Sequence, residues 1–146
     1  MSRTRAGFAA TVTLLLLAGC GTNSSAPPAA EGPEPGQVAK RISLKEAYQL
    51  VQRRKDDQTF VILDVRTPEE YGRGHIPRAV NMNYYASVFK TELDKLDKSH
   101  TYLIHCAVGG RSAKVLQLMT QMRFQEVYEV KAGFRGWHAA GYPTTQ

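Results

Sequence analysis

The sequence predicts an α/β fold with a mostly parallel central sheet and helices on both faces. Short apolar runs alternate with stretches of helical period along the chain, and the runs at 60–63 and 102–104 carry no charge. Strands covered on both faces read this way, and strand–helix alternation is the pattern of parallel crossovers. With 146 residues, one domain is expected.

The globular part begins near Val38 and runs to the end, 38–146. Ser43, with Glu46 three residues later, forms a capping box, and Leu44, Ala47, Leu50 and Val51 give one apolar stripe at helical spacing. Residues 60–63, Phe-Val-Ile-Leu, read as a buried strand. Thr67-Pro68-Glu69-Glu70 is a second capping box with proline at the first helical position. Residues 79–82 form a weaker strand, and 88–96 a helix with Phe89, Leu93 and Leu96 on one side. A buried strand at 101–105 precedes a helix at 112–122. A last strand at 127–130 precedes a last helix at 134–140. Ligands in such folds bind beyond the carboxyl ends of the strands, here just after Leu63, Met82, His105 or Val130.

The region before Val38 is of a different kind. Arg3 and Arg5, an apolar run through Leu14, Leu15, Leu16 and Leu17, and then Ala18-Gly19-Cys20 describe an export signal. The run falls short of the ~20 apolar residues of a membrane span. Leu17-Ala18-Gly19-Cys20 resembles the lipobox of bacterial lipoproteins. That resemblance implies removal of residues 1–19, lipidation of Cys20 and attachment to a bacterial membrane on the periplasmic or cell-surface side. Residues 20–37, with Pro27, Pro28, Pro33 and Pro35 and no apolar period, are expected to be the lipidated cysteine and a disordered tether. A monomer is expected on so long a tether. The lack of an acidic residue at Gly21 favours an outer membrane where there is one.

Nineteen basic and thirteen acidic residues give a formal charge of +6. Loss of Arg3 and Arg5 with the leader brings it to +4. Only Arg53-Arg54-Lys55 forms a basic run, at an expected helix end, so no nucleic-acid footprint is present. His75, His100, His105 and His138 lack ligand-like spacing with cysteine, so no metal site is expected, and no cofactor is implied. With Cys20 acylated, Cys106 is the one remaining thiol of the two cysteines. A lone thiol in an oxidising compartment is a reactive group or an intermolecular partner.

Cys106 follows the strand at 101–105, and Ala107, Val108, Gly109, Gly110, Arg111 and Ser112 lead from it into a helix. Two glycines permit a tight loop. A loop closing onto a helix start turns several backbone N–H groups inward, where the helix dipole adds positive potential. A sulfur held there ionises below the free value of ~8.5, and the thiolate is the nucleophile. Arg111 offers charge and donors to an anionic group. A phosphate loop would end in Gly-Lys-Ser/Thr, which is absent. His105 is one residue from Cys106 and so points to the opposite face of the strand, which argues against a Cys–His dyad.

Three segments together resemble the rhodanese-like family. Residues 106–112 are similar to its active loop. Leu63-Asp64-Val65-Arg66, Glu70-Tyr71 and Gly74-His75-Ile76-Pro77-Arg78-Ala79 are similar to its upstream motif, and Gly133-Phe134, Trp137 and Gly141-Tyr142-Pro143 to its C-terminal motif. The resemblance spans about residues 42–143. Ala107 departs from the polar residue frequent after the cysteine, and Ala132 from a common glycine. The resemblance implies a single rhodanese-like domain and a sulfurtransferase. Cys106 would take a sulfane sulfur from a small anionic donor, thiosulfate or a polysulfide, as a persulfide and pass it to a thiol or cyanide. The spacing Cys-x4-Arg is one residue shorter than the loop of related phosphatases. A binding or redox-sensing module is the alternative. Asp64 is expected to orient the loop or Arg66, and Arg66 to pair with Glu70. His75 resembles a fixed turn residue of the family; Trp137 and Phe134 are expected to pack in the core, with a wall of the pocket as the alternative for Phe134.

Overall fold

The structure, a computed structural model, describes residues 32–146. The expected leader, Cys20 and most of the expected tether lie outside the described residues. The elements run β1 (Val38–Ile42), α1 (Leu44–Arg53), β2 (Phe60–Asp64), α2 (Pro68–Gly72), β3 (Val80–Asn81), α3 (Phe89–Asp94), β4 (Thr101–His105), α4 (Gly110–Gln121), β5 (Glu126–Val130) and α5 (Gly133–Ala139). The five strands form one sheet in the order β1-β5-β4-β2-β3, with every pairing parallel. The expected α/β class with a mostly parallel sheet is thus the observed one.

Each face of the sheet carries its own core. Leu63, Tyr102, Ile104 and Val127 meet Phe89 and Leu93 of α3 and Val115, Leu116 and Met119 of α4. On the other face, Phe60, Ile62, Leu103 and Val130 meet Ala47 and Leu50 of α1 and Trp137 of α5. The period-two alternation of the strands produces this split: Tyr102 and Ile104 face one layer and Leu103 the other. Both expected capping boxes form. The Ser43 hydroxyl accepts from the Glu46 N–H and that of Thr67 from the Glu70 N–H, and each glutamate returns to its cap residue's N–H.

Besides shifts of one or two residues at the ends of other elements, three stretches differ from expectation. β1 was not foreseen as a strand, because Lys40 and Arg41 break its apolar pattern; it is an edge strand with only Ile42 buried. The helix expected over 88–96 stops at Asp94, because Lys95 and Leu96 N–H groups bond back to Glu92 and Leu93, three residues away, and tighten the last turn. The stretch expected to be tether up to Gln37 is pinned at its end. The Gln37 amide donates to the Thr120 and Phe124 carbonyls, and Glu34 pairs with Arg123. Among the described residues no helix is long and apolar enough to cross a membrane.

Candidate active site

The carboxyl ends of β2, β4 and β5 converge on one edge of the sheet, and Cys106 sits at the tip of β4. Its Sγ accepts the Gly109 N–H at 3.2 Å and lies 3.4 Å from Ser112 Oγ. Gly109 has φ +90 and caps α4, so the chain reverses there at a backbone conformation that favours glycine. A Cβ on Gly109 would also collide with the Lys131 carbonyl. Burial pushes the Cys106 thiol up, but hydrogen bonds from the Ser112 side chain and from the Ser112, Val108 and Gly109 N–H groups outweigh it and leave the thiol below its ordinary value.

The loop's carbonyls are held from beneath by α5. Phe134 and Arg135 N–H groups donate to the Cys106 and Ala107 carbonyls at 2.7 and 3.0 Å. These are first-turn donors with no partner inside their own helix. With its oxygens bound from below, the loop turns its N–H groups toward the sulfur. Gly133 makes the approach possible: its φ is +58, and a Cβ there would lie 2.6 Å from the Cys106 and Ala107 carbonyl oxygens.

Cys106 is only 1% exposed, although Val108 at the loop's tip is 59% exposed and Gly110 is open. Sulfur therefore lies at the bottom of the loop rather than on the surface. Among the sequence-selected loop residues, Ala107 and Arg111 are half-buried, and Gly109 and Ser112 are buried.

The charged residues pair partly as expected: Asp64 orients Arg66, but Arg66 does not reach Glu70. Arg66 forks onto Asp64 rather than Glu70: its Nε and Nη2 donate to the carboxylate at 2.6–2.9 Å, and Nη2 also donates to the Gly74 carbonyl. Both side chains are buried, and the guanidinium lies 4.1 Å above the Phe134 ring. Asp64 is closer along the chain and already at the strand tip, so it satisfies the fork without extending the arginine. Arg111 takes Glu70 instead, with Nη1 and Nη2 donating at 2.7 and 2.8 Å. The guanidinium expected to face an anionic ligand is thus occupied in this structure.

His105 is fully buried on the Asp64 side of the strand, its Nε2 3.7 Å from Asp64 Oδ2 and without a hydrogen-bond partner among the described residues. Burial holds its pKa below the ordinary value. His75 stacks on Tyr71 at 3.7 Å and exchanges backbone hydrogen bonds with Thr145. Trp137 is core, its Nε1 donating to the Pro143 carbonyl.

The Glu70–Arg111 bridge has a pH signature. The Arg111 guanidinium, against a smaller opposing effect of burial, holds the Glu70 carboxyl down at about 2. A depressed carboxyl stabilises the fold above its unfolded value of 4.5, and that contribution is lost as pH falls through the folded value. Melting temperatures of wild type and Glu70→Gln are expected to differ at pH 6 and to converge between about 4.5 and about 2. A gap that stayed constant over that range would show that the bridge adds no stability.

Sequence reasoning missed Glu129. It is wholly buried on β5, with Oε1 2.7 Å from Ser112 Oγ and Oε2 2.6 Å from Arg41 Nε. A signal was present: Glu129 is two residues from Val127, so both side chains point to the same buried face.

Together these features define a parallel-sheet α/β protein that cradles a cysteine sulfur in backbone N–H groups at a strand tip. The profile of the Rhodanese-like domain matches residues 44–140. The chain belongs to the rhodanese-like domain family. It is 34% identical over 106 residues to the thiosulfate sulfurtransferase GlpE of Coxiella burnetii, covering 73% of this chain and 92% of that protein. Among solved structures, it is similar to a rhodanese-related protein of Thermoplasma volcanium. That match has TM-score 0.63 and 25% identity, covering 73% of this chain and 97% of the other. It is also similar to the rhodanese-like domain of an Anabaena protein, with TM-score 0.60 and 27% identity over 72% of this chain and 77% of that one.

Proposed function

We propose that the protein is a sulfurtransferase that carries a sulfane sulfur on Cys106. The observation that carries this reading is the sulfur of Cys106 beneath the Gly109 N–H and the Ser112 hydroxyl, with its ionisation favoured. The similarity to a protein named thiosulfate sulfurtransferase supports the same chemistry. The Cys106 thiolate attacks the outer sulfur of thiosulfate; the new S–S bond takes the electron pair from sulfur, and sulfite leaves with the pair of the broken bond. A polysulfide reacts alike, releasing the shortened chain. A thiol or cyanide then attacks the outer sulfur of the persulfide and returns the Cys106 thiolate.

The depth of Cys106 favours small donors, since its side chain is almost wholly covered. It also gives the persulfide a use: an S–S bond of ~2.05 Å moves the transferable sulfur outward, toward the acceptor. Incubation of the chain with thiosulfate followed by intact mass measurement is expected to show one added sulfur on Cys106. No added sulfur, or an equal gain in Cys106→Ser, defeats the reading.

The 1% exposure of Cys106 also favours a second reading, a binding or redox-sensing module with little turnover. A persulfide that forms once and is not discharged by cyanide or thiols would select it.

The leader and lipobox support export and anchoring through Cys20 to a bacterial membrane, with the domain held outside the cytoplasm. Cys20→Ala is expected to move the protein out of the membrane fraction; unchanged fractionation would contradict the anchor.

A further inference from the structure

We propose that Glu129 is a positioning residue that sets the protonation of Cys106 through the Ser112 hydroxyl. The inference rests on Cys106 being the sulfur carrier and deepens that reading. Ser112 Oγ stands between two acceptors, Glu129 Oε1 at 2.7 Å and Cys106 Sγ at 3.4 Å. A serine hydroxyl has one proton and cannot donate to both. The shorter contact gives the Glu129 carboxylate the larger share of that proton, which weakens the hydrogen bond that Ser112 gives to sulfur and opposes the thiolate that the loop N–H groups favour. Removing the carboxylate would free the Ser112 hydroxyl for sulfur.

Arg41, on β1, holds the other carboxylate oxygen, donating its Nε to Oε2 at 2.6 Å. Arg41 and Cys106 are the titratable groups facing Glu129 from the neighbouring strands. Arg111, on α4, is turned to Glu70. Gly109 closes the space beside the carboxylate: a Cβ there would stand 3.3 Å from Oε1. A buried ion pair is weak support for stability by itself, whereas this one lies within one hydroxyl of the sulfur.

The test is the rate of alkylation of Cys106 by iodoacetamide against pH, read on the peptide that contains it. Full-length wild type, Glu129→Gln, Ser112→Ala and the double variant are compared. Glu129→Gln is expected to bring the Cys106 midpoint about one pH unit or more below wild type, because with its oxygen on Arg41 a glutamine turns its amide N–H to Ser112, leaves the Ser112 hydroxyl free for sulfur and carries no charge. In the Ser112→Ala background the shift should fall by at least half. A Glu129→Gln profile equal to wild type, or a full shift that persists without Ser112, overturns the proposal.

Should Glu129→Gln not fold, Glu129→Asp keeps the charge but draws the carboxylate back from Ser112; its Cys106 midpoint is expected below that of wild type, and a midpoint equal to wild type overturns the proposal. None of these readouts uses a sulfur donor. Failure of thiosulfate to load Cys106 is therefore separable from failure of the proton link.

Discussion

Cys106→Ser is expected to lower thiocyanate formation from thiosulfate and cyanide by about three orders of magnitude or more, the scale on which removal of a covalent nucleophile acts. The substitution changes one atom and leaves the geometry of the loop available, since an oxygen can still accept the Gly109 N–H that now reaches sulfur at 3.2 Å. What disappears is the chemistry. A serine hydroxyl is not ionised by a few neutral donors, and it cannot form a persulfide. The variant should therefore keep the wild-type circular dichroism and urea midpoint while losing turnover. Activity within tenfold of wild type would mean that sulfur passes directly from donor to acceptor in the cleft and that Cys106 is only a packing residue.

Asp64→Asn is expected to cost the fold about 3–5 kcal/mol, the usual penalty for removing one partner of a buried pair. The carboxylate receives both the Arg66 Nε and Nη2, and neither side chain is more than 5% exposed. An asparagine leaves the guanidinium charge out of water with only the Gly74 carbonyl and the Phe134 face to hold it. The urea midpoint should fall at unchanged slope. Replacing Arg66 by methionine in the same chain should restore part of the loss, because the stranded charge is then gone. A loss below about 1 kcal/mol would show that water reaches the pair despite its burial. This effect is structural: Asp64 and Arg66 shape the strand tip beside the cysteine loop and do not touch its sulfur.

The parts of the fold that were legible are those in which local chemistry and burial agree. Both capping boxes could be read because serine or threonine and glutamate stand three apart ahead of an apolar stripe. β2 and β4 could be read because burial on two faces leaves no polar period to confuse them. β1 escaped because an edge strand bonds through its backbone and can carry Lys40 and Arg41 at no cost.

At the site, the loop was legible from the glycines after Cys106, since φ +90 at Gly109 is a demand that sequence records. The partners of the charges were not. Glu70 and Arg111 come within reach of one another only once α2 and α4 have packed, and sequence spacing offers Arg66 both Asp64 and Glu70 without deciding between them. Glu129 was passed over for a related reason: its partners, Ser112 and Arg41, come from a helix and an edge strand far away in the chain. The depth of Cys106 likewise follows from α5 holding the loop's carbonyls, a contact that no local pattern encodes.

The account depends on the loop favouring a sulfur anion over a thiol. Thiolate absorbance in the ultraviolet, taken as wild type minus Cys106→Ser and followed against pH in folded and in urea-unfolded chains, measures this preference directly. The predicted result is a folded midpoint below the unfolded one, which should lie near ~8.5. A folded midpoint at or above the unfolded value would mean that burial outweighs the loop's donors, and Cys106 would be an ordinary core thiol.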